Sequence, residues 1–191
     1  KIKKRCEEVG ALLILDEIQT GIGRTGKFWG FEHYGIIPDI IIAGKGLGGG
    51  MPIGAFIAKK NLMDLLKENP TLGHITTFGG HPIIASAGVA TVQTILNSKL
   101  IKETLEKEAL IRELLIHPKI IEIRGKGLML AALVESNEMA SKIIHKCLEY
   151  GLILFFLLFE EKAIRITPPL TISKKEIIKG CKILRKVIDE S

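Results

Sequence analysis

Ile40-Ile41-Ile42-Ala43-Gly44-Lys45-Gly46-Leu47-Gly48-Gly49-Gly50 runs from an apolar stretch into a lysine enclosed by glycines. The consecutive apolar residues behind Pro38-Asp39 suit a buried strand, because a strand covered on both faces needs no alternating polar positions. The glycines that follow permit backbone conformations closed to other residues and close approach to a ligand. Upstream, Ala11-Leu12-Leu13-Ile14-Leu15 repeats the apolar pattern and stops at Asp16. Two such runs predict central parallel strands, buried between layers, with Asp16 and Lys45 at their carboxyl ends. Ligands of open α/β sheets bind at that edge, and α/β is the class expected here.

Outward from these strands, Thr20 to Lys27 is a Gly-rich loop leading to Phe28–Tyr34, and a third strand is expected over Ile53 to Ala58. A short helix follows from Asn61 to Lys67, then a loop from Pro70 to Gly80. Apolar spacing from Pro82 to Leu115 is mainly helical, with an interruption near Asn97-Ser98, and suits a connector between domains. The remainder predicts strands over Ile120–Ile123 and Leu128–Val134, a helix over Glu138–Tyr150, strands within Ile153–Phe159 and over Ala163–Ile166, and a last helix from Ser173. Gly151 to Phe159 is read as a buried strand. Ser173-Lys174-Lys175-Glu176 is a capping box, in which serine accepts a backbone N–H and glutamate reaches back to the cap. The second half therefore reads as a small α+β domain.

The chain has 191 residues, 47% of them hydrophobic, enough to bury a core in one domain or two small ones. Its net charge of +6 and pI near 9.2 raise the question of nucleic acid. The basic residues, however, are interspersed with glutamate along helical segments, and the densest run, Lys1 to Arg5, passes at once into Cys6-Glu7-Glu8, as on the solvated end of a helix. No nucleic-acid partner is expected. Three cysteines without a CxxC pair indicate neither a disulfide framework nor a metal site. No stretch is long enough to span a membrane and no signal-peptide pattern opens the chain, so the expected setting is cytoplasmic, with no membrane partner. The chain begins without methionine, in what reads as the last turns of a helix, and looks truncated upstream.

A carboxylate beside a pyridine nitrogen keeps the ring protonated as an electron sink, and a lysine on the same edge can form an imine. Taken singly, Asp16 also reads as a turn cap and Lys45 as a solvated loop lysine. Together with Leu15-Asp16-Glu17-Ile18-Gln19-Thr20-Gly21-Ile22-Gly23-Arg24-Thr25-Gly26, the stretch Gly44 to Gly50 resembles the class III aminotransferases, the family of ornithine, acetylornithine and 4-aminobutyrate aminotransferases. The resemblance runs along essentially the whole chain, in order.

What the resemblance implies is a pyridoxal 5'-phosphate (PLP) enzyme of the aspartate aminotransferase-like fold type I. Residues 1–96 would be the C-terminal part of the cofactor-binding large domain, with a mainly parallel sheet. Residues 97–191 would be a connector helix and the small α+β domain. By the same resemblance Asp16 partners the pyridine nitrogen, Lys45 forms the Schiff base and Gln19 contacts the side of the phenolic oxygen. Thr77, in His74-Ile75-Thr76-Thr77-Phe78-Gly79-Gly80, donates to the cofactor phosphate of the neighbouring subunit of a homodimer. Arg165, in Ile164-Arg165-Ile166-Thr167-Pro168-Pro169-Leu170, grips the substrate carboxylate, a task suited to a planar bidentate donor. Glu17 and Arg24 shape the Gly-rich loop. The reaction implied is transfer of an amino group from an amino acid or ω-amino compound to a 2-oxo acid, with 2-oxoglutarate the acceptor by analogy.

Departures from the family pattern fall at Gly46, where alanine or serine is common, at His81, where asparagine is common, and at Thr167, where alanine is frequent. The upstream half of such enzymes supplies a phosphate cradle and a stacking aromatic, so this segment alone is expected to be incomplete. Two other readings compete. Gly21 to Lys27 spells the GxxxxGK of a P-loop ATPase, but Phe28 stands where a serine or threonine must reach magnesium, and the loop follows the acidic strand instead of preceding it. A non-catalytic module with the same fold would not need Asp16, Lys45 and Arg165 together.

Overall fold

β1 (Ile14–Asp16) and β2 (Ile40–Gly44) run parallel in the computed structural model, with Ile14 opposite Ile40 and Asp16 opposite Ile42. β3 (Gly54–Ala58) adds to β2 in the antiparallel sense, Gly44 opposite Gly54. The three-stranded sheet is therefore mixed where a mainly parallel one was expected. Residues 45–53 are too few for the crossover of roughly a dozen residues that a parallel return requires.

Residues 1–71 and 74–191 are described, so Leu72 and Gly73 of the loop read over Pro70 to Gly80 lie outside the description. They form two units, Lys1–Gly23 with Lys27–Lys99, and Arg24–Gly26 with Leu100–Ser191. The first unit holds the mixed sheet with α1 (Ile2–Val9), α2 (Lys60–Asp64) and α3 (Pro82–Leu96). Lys3 Nζ donates to Asp39 Oδ2 at 3.1 Å, and the same oxygen accepts from Leu13 N at 2.8 Å, which ties α1 to the entry of β2.

The expectation that the Ala11–Leu15 run is covered on both faces does not hold within this unit. Leu13 is buried, whereas Leu12 and Ile14 are 53% and 52% exposed. Successive side chains of a strand point to opposite faces, and only one face of β1 meets the rest of the unit.

The second unit is an antiparallel sheet in the order β4 (Glu122–Lys126), β5 (Met129–Leu133), β7 (Ala163–Ile166), β6 (Phe155–Phe156), together with α4 (Leu100–Leu114), α5 (Asn137–Glu149) and α6 (Lys174–Asp189). Leu130 and Ala132 of β5 and Ile164 and Ile166 of β7 pack with Ile143 of α5 and Leu184 of α6 in one apolar core. β4 begins later than its apolar residues suggest. The polar Arg124, Gly125 and Lys126 pair with Ala131, Leu130 and Met129, because the tight turn at Gly127-Leu128 carries the ladder to its end. Gly127, at φ +61°, cannot become another residue cheaply: a Cβ there would lie 2.5 Å from the Arg24 carbonyl oxygen.

The Gly151–Phe159 run is corrected more sharply. Only Phe155-Phe156 pairs, on the outer edge of the sheet, and Leu158 and Phe159 are 90% and 100% exposed. Composition reads the whole segment as buried, but only Leu152 and Leu154 pack against the core, and Ile153, Phe155 and Phe156 face outward with Leu158 and Phe159.

The capping box forms as read: Ser173 Oγ accepts from Glu176 N at 3.2 Å, and Glu176 Oε2 accepts from Ser173 N at 2.8 Å. The Ser173 hydroxyl, donating to the same Oε2 at 2.7 Å, and then the Ser173 amide hold the Glu176 carboxyl below its usual value. A depressed carboxyl stabilises the fold above its unfolded pKa, and that contribution disappears as pH falls through the lowered folded value. Replacing Ser173 with alanine should cost about 1 kcal/mol, read as a shift in the urea midpoint with an unchanged slope. No shift would mean that the cap contributes nothing to α6.

Candidate active site

Asp16 ends β1 with its carboxylate exposed, and Oδ1 accepts from Ile18 N at 2.9 Å. The turn-cap reading is thus part of the structure. It orients the carboxylate at the sheet edge and leaves Oδ2 without a partner among the described residues. Gln19 stands exposed in the turn that follows.

Between them Glu17 turns inward. At 3% exposure, its carboxylate accepts from Gly30 N and Phe31 N, each at 2.8 Å, and from the Thr20 hydroxyl. A buried carboxylate satisfied by amide donors pins the loop back on itself. Gly21 is required beside it, since a Cβ there would meet the Trp29 ring at 2.8 Å. This is the loop-shaping role assigned to Glu17.

Lys45 follows β2 directly, in a tight turn spanning Lys45–Gly48. Its φ is +43°, a left-handed setting that strains a residue with a Cβ and that collects at functional sites. The side chain is exposed and forms no ion pair among the described residues. The following glycines answer to packing as well as to any ligand: a Cβ on Gly49 would lie 2.2 Å from Thr91 Oγ1 of α3. Because β1 and β2 are hydrogen-bonded neighbours, about 4.8 Å apart, Asp16 and Lys45 emerge from one sheet edge.

Thr77 lies in the first unit as well, exposed in the turns that lead into α3, where Gly79 N donates to Thr76 O and His81 N to Phe78 O. His81 is the N-cap of α3, but its side chain does not cap, and its buried Nδ1 has no hydrogen-bond partner among the described residues.

Arg165 belongs to the second unit. It sits on β7 between Ala131 of β5 and Phe155 of β6, with its guanidinium carbon 5.1 Å from the Phe155 ring centroid. Its Nε is buried without a hydrogen-bond partner among the described residues.

A family model described as aminotransferase class-III matches residues 1–188. The chain belongs to the class III aminotransferases. Acetylornithine aminotransferase of Caldanaerobacter subterraneus subsp. tengcongensis is 41% identical over 194 residues, covering 99% of this chain and 48% of its own length. Putrescine aminotransferase of Pectobacterium atrosepticum is also 41% identical, over 98% of this chain and 41% of its own. The crystal structure of a Bacillus anthracis aminotransferase superposes with a TM-score of 0.92 at 30% identity, covering 100% of this chain and 47% of that one. The chain thus spans less than half the length of these relatives. Its fold is that of the PLP-dependent fold type I transferases.

Membership of the class III family gives Gly21 to Lys27 no part as a nucleotide loop, and the geometry agrees. Arg24, within that motif, is counted with the second unit. Its Nη1 donates to the carbonyls of Leu128 at 3.2 Å and Pro168 at 2.6 Å, and burial lowers its pKa. One group escaped the sequence reading. Lys107 is 5% exposed, its Nζ donating to Leu170 O at 2.6 Å beside Glu103 at 3.2 Å. The available signal was spacing, because Thr104, Lys107 and Ile111 share the buried stripe of α4.

Proposed function

We propose that the protein containing this chain is an aminotransferase that moves an amino group from an amino acid or ω-amino compound to a 2-oxo acid, with 2-oxoglutarate the acceptor. The observation that carries this reading is that Asp16, the last residue of β1, and Lys45, directly after the parallel neighbour β2, are both exposed at one sheet edge, with neither in an ion pair among the described residues. An acceptor-only carboxylate and a primary amine on one edge are the donor set that PLP requires. When bound, PLP supplies the electron sink that lets the substrate carbon lose its proton.

Each residue then has a task. Asp16 holds a positive charge at the pyridine nitrogen, and Gln19 donates toward the phenolic oxygen. Lys45 Nζ would hold the cofactor, and as a free amine would take the proton from the amino-bearing carbon of the substrate and later return one. The Thr77 hydroxyl donates to a phosphate in the neighbouring subunit of a homodimer. Arg165 receives a substrate carboxylate through two parallel N–H bonds. Its Nε, without a hydrogen-bond partner among the described residues, supports that role.

In domain terms, residues 1–96 complete the cofactor-binding domain and residues 97–191 supply the connector helix and small domain. No helix among the described residues is long and apolar enough to cross a membrane. Three free cysteines suit a reducing cytoplasm.

The test is to incubate the full-length protein, and separately this segment, with PLP, reduce with borohydride and map the modified lysine by peptide mass. Selective labelling at Lys45 in the full-length protein is expected. Scattered or absent labelling there would overturn the catalytic reading and leave the family fold.

A further inference from the structure

β7 ends at Ile166, and two of the next three residues, Pro168 and Pro169, have no N–H. The segment that leaves Arg165 therefore cannot be tied down through its own amides at those positions. It is tied through its carbonyls instead. Arg24 Nη1 donates to Pro168 O at 2.6 Å, Ile172 N to Pro169 O at 3.0 Å, and Lys107 Nζ to Leu170 O at 2.6 Å. Three consecutive carbonyls each receive a donor, and two of the donors are cationic side chains distant in sequence.

Packing alone does not call for either cation. Lys107 occupies the buried stripe of α4, where an aliphatic residue would fill the space without desolvating an ammonium. Glu103 lies beside it, so the same Nζ has its charge balanced at 3.2 Å while it donates to Leu170 O. Arg24 joins Pro168 to Leu128 at the β4–β5 turn, so the segment is fixed to the sheet as well as to α4. On the sheet itself Arg165 is flanked by both neighbouring strands and lies over the Phe155 ring. A guanidinium stacked on an aromatic face keeps its plane, and the plane decides whether a carboxylate can be met at two points.

We propose that Lys107 and Arg24 are positioning residues for Arg165. By clamping the carbonyls of Leu170 and Pro168 they hold the end of β7 in the one setting that presents the guanidinium to a substrate carboxylate. The proposal rests on the reading of Arg165 as the carboxylate grip, and the experiment separates the two.

Glutarate, a dicarboxylate with no amino or oxo group to react, is titrated calorimetrically into the PLP-loaded full-length enzyme, and KM and kcat are measured for 2-oxoglutarate. Lys107→Met keeps the unbranched side chain, one atom shorter, and removes the donor. It should weaken glutarate about 5- to 10-fold and raise KM by the same factor with kcat within about twofold, and Lys107→Arg should restore both. Should Lys107→Met fail to fold, Arg24→Lys, which keeps the charge but loses the guanidinium, gives the same comparison at Pro168. Arg165→Lys sets the scale and should weaken glutarate about 100-fold. If Arg165→Lys weakens glutarate while Lys107→Met and Arg24→Lys leave it unchanged, the clamp is overturned and Arg165 stands. A fall in kcat with KM and glutarate affinity unchanged also overturns the clamp. If Arg165→Lys itself leaves glutarate unchanged, the reading of Arg165 fails, and the clamp with it.

Discussion

Alanine at position 45 should lower kcat of the full-length enzyme by at least ~10³-fold, because one side chain is removed from two tasks, covalent attachment and proton transfer. Proton transfer by a positioned side chain accounts alone for roughly 10²- to 10⁴-fold. A variant keeping more than ~1% of wild-type turnover would therefore remove Lys45 from the mechanism. Stability separates this loss from a folding defect. Lys45 sits at φ +43°, where a Cβ is strained, so alanine inherits the strain and should melt with the wild type. Glycine relieves it, and Lys45→Gly should gain up to ~1 kcal/mol while being equally inactive. Thermal melts of the three proteins beside their turnover make the comparison. An inactive variant that is also unfolded would carry no weight, whereas an inactive variant that is more stable would show a residue retained for chemistry against its conformational preference.

Glu17→Ala should destabilise the protein by about 3–4 kcal/mol, through loss of the carboxylate that pins the turn beside the Gly-rich loop. The carboxylate is buried and answers three donors, the amides of Gly30 and Phe31 and the Thr20 hydroxyl. Removing it strands the Gly30 amide in a buried position. An orphaned buried donor costs about 1–3 kcal/mol, more than the net worth of the bond it lost. Glu17→Gln should fall between wild type and alanine, because its amide oxygen still accepts but its NH₂ faces other donors. Urea denaturation of the three proteins orders them. A loss below ~1 kcal/mol for alanine would show that the carboxylate does not hold the loop. Since Glu17 adjoins Asp16, the same variant should also bind PLP more weakly, which absorbance of the bound cofactor would record.

The two apolar runs, their charged ends and the glycines around Lys45 were legible in the chain itself, because each depends on local rules. Apolar runs make strands, glycine frees the backbone, and a serine three residues before a glutamate caps a helix. The capping box at Ser173 and the parallel pairing of β1 with β2 follow from such rules. The stretch from Leu15 to Gly26 was legible too, through its resemblance to the class III aminotransferases.

Tertiary structure decided what local rules leave open. Burial is a property of the surroundings, so the run from Gly151 to Phe159 reads as a core strand but lies mostly exposed at a sheet edge, and Leu12 and Ile14 face outward although they are as apolar as Leu13. Strand direction was decided by the short connection between β2 and β3. The partners of Arg24 and Lys107 stand 144 and 63 residues away in the chain. Two prolines removed the amides after β7, and only folding shows which distant cations replace them.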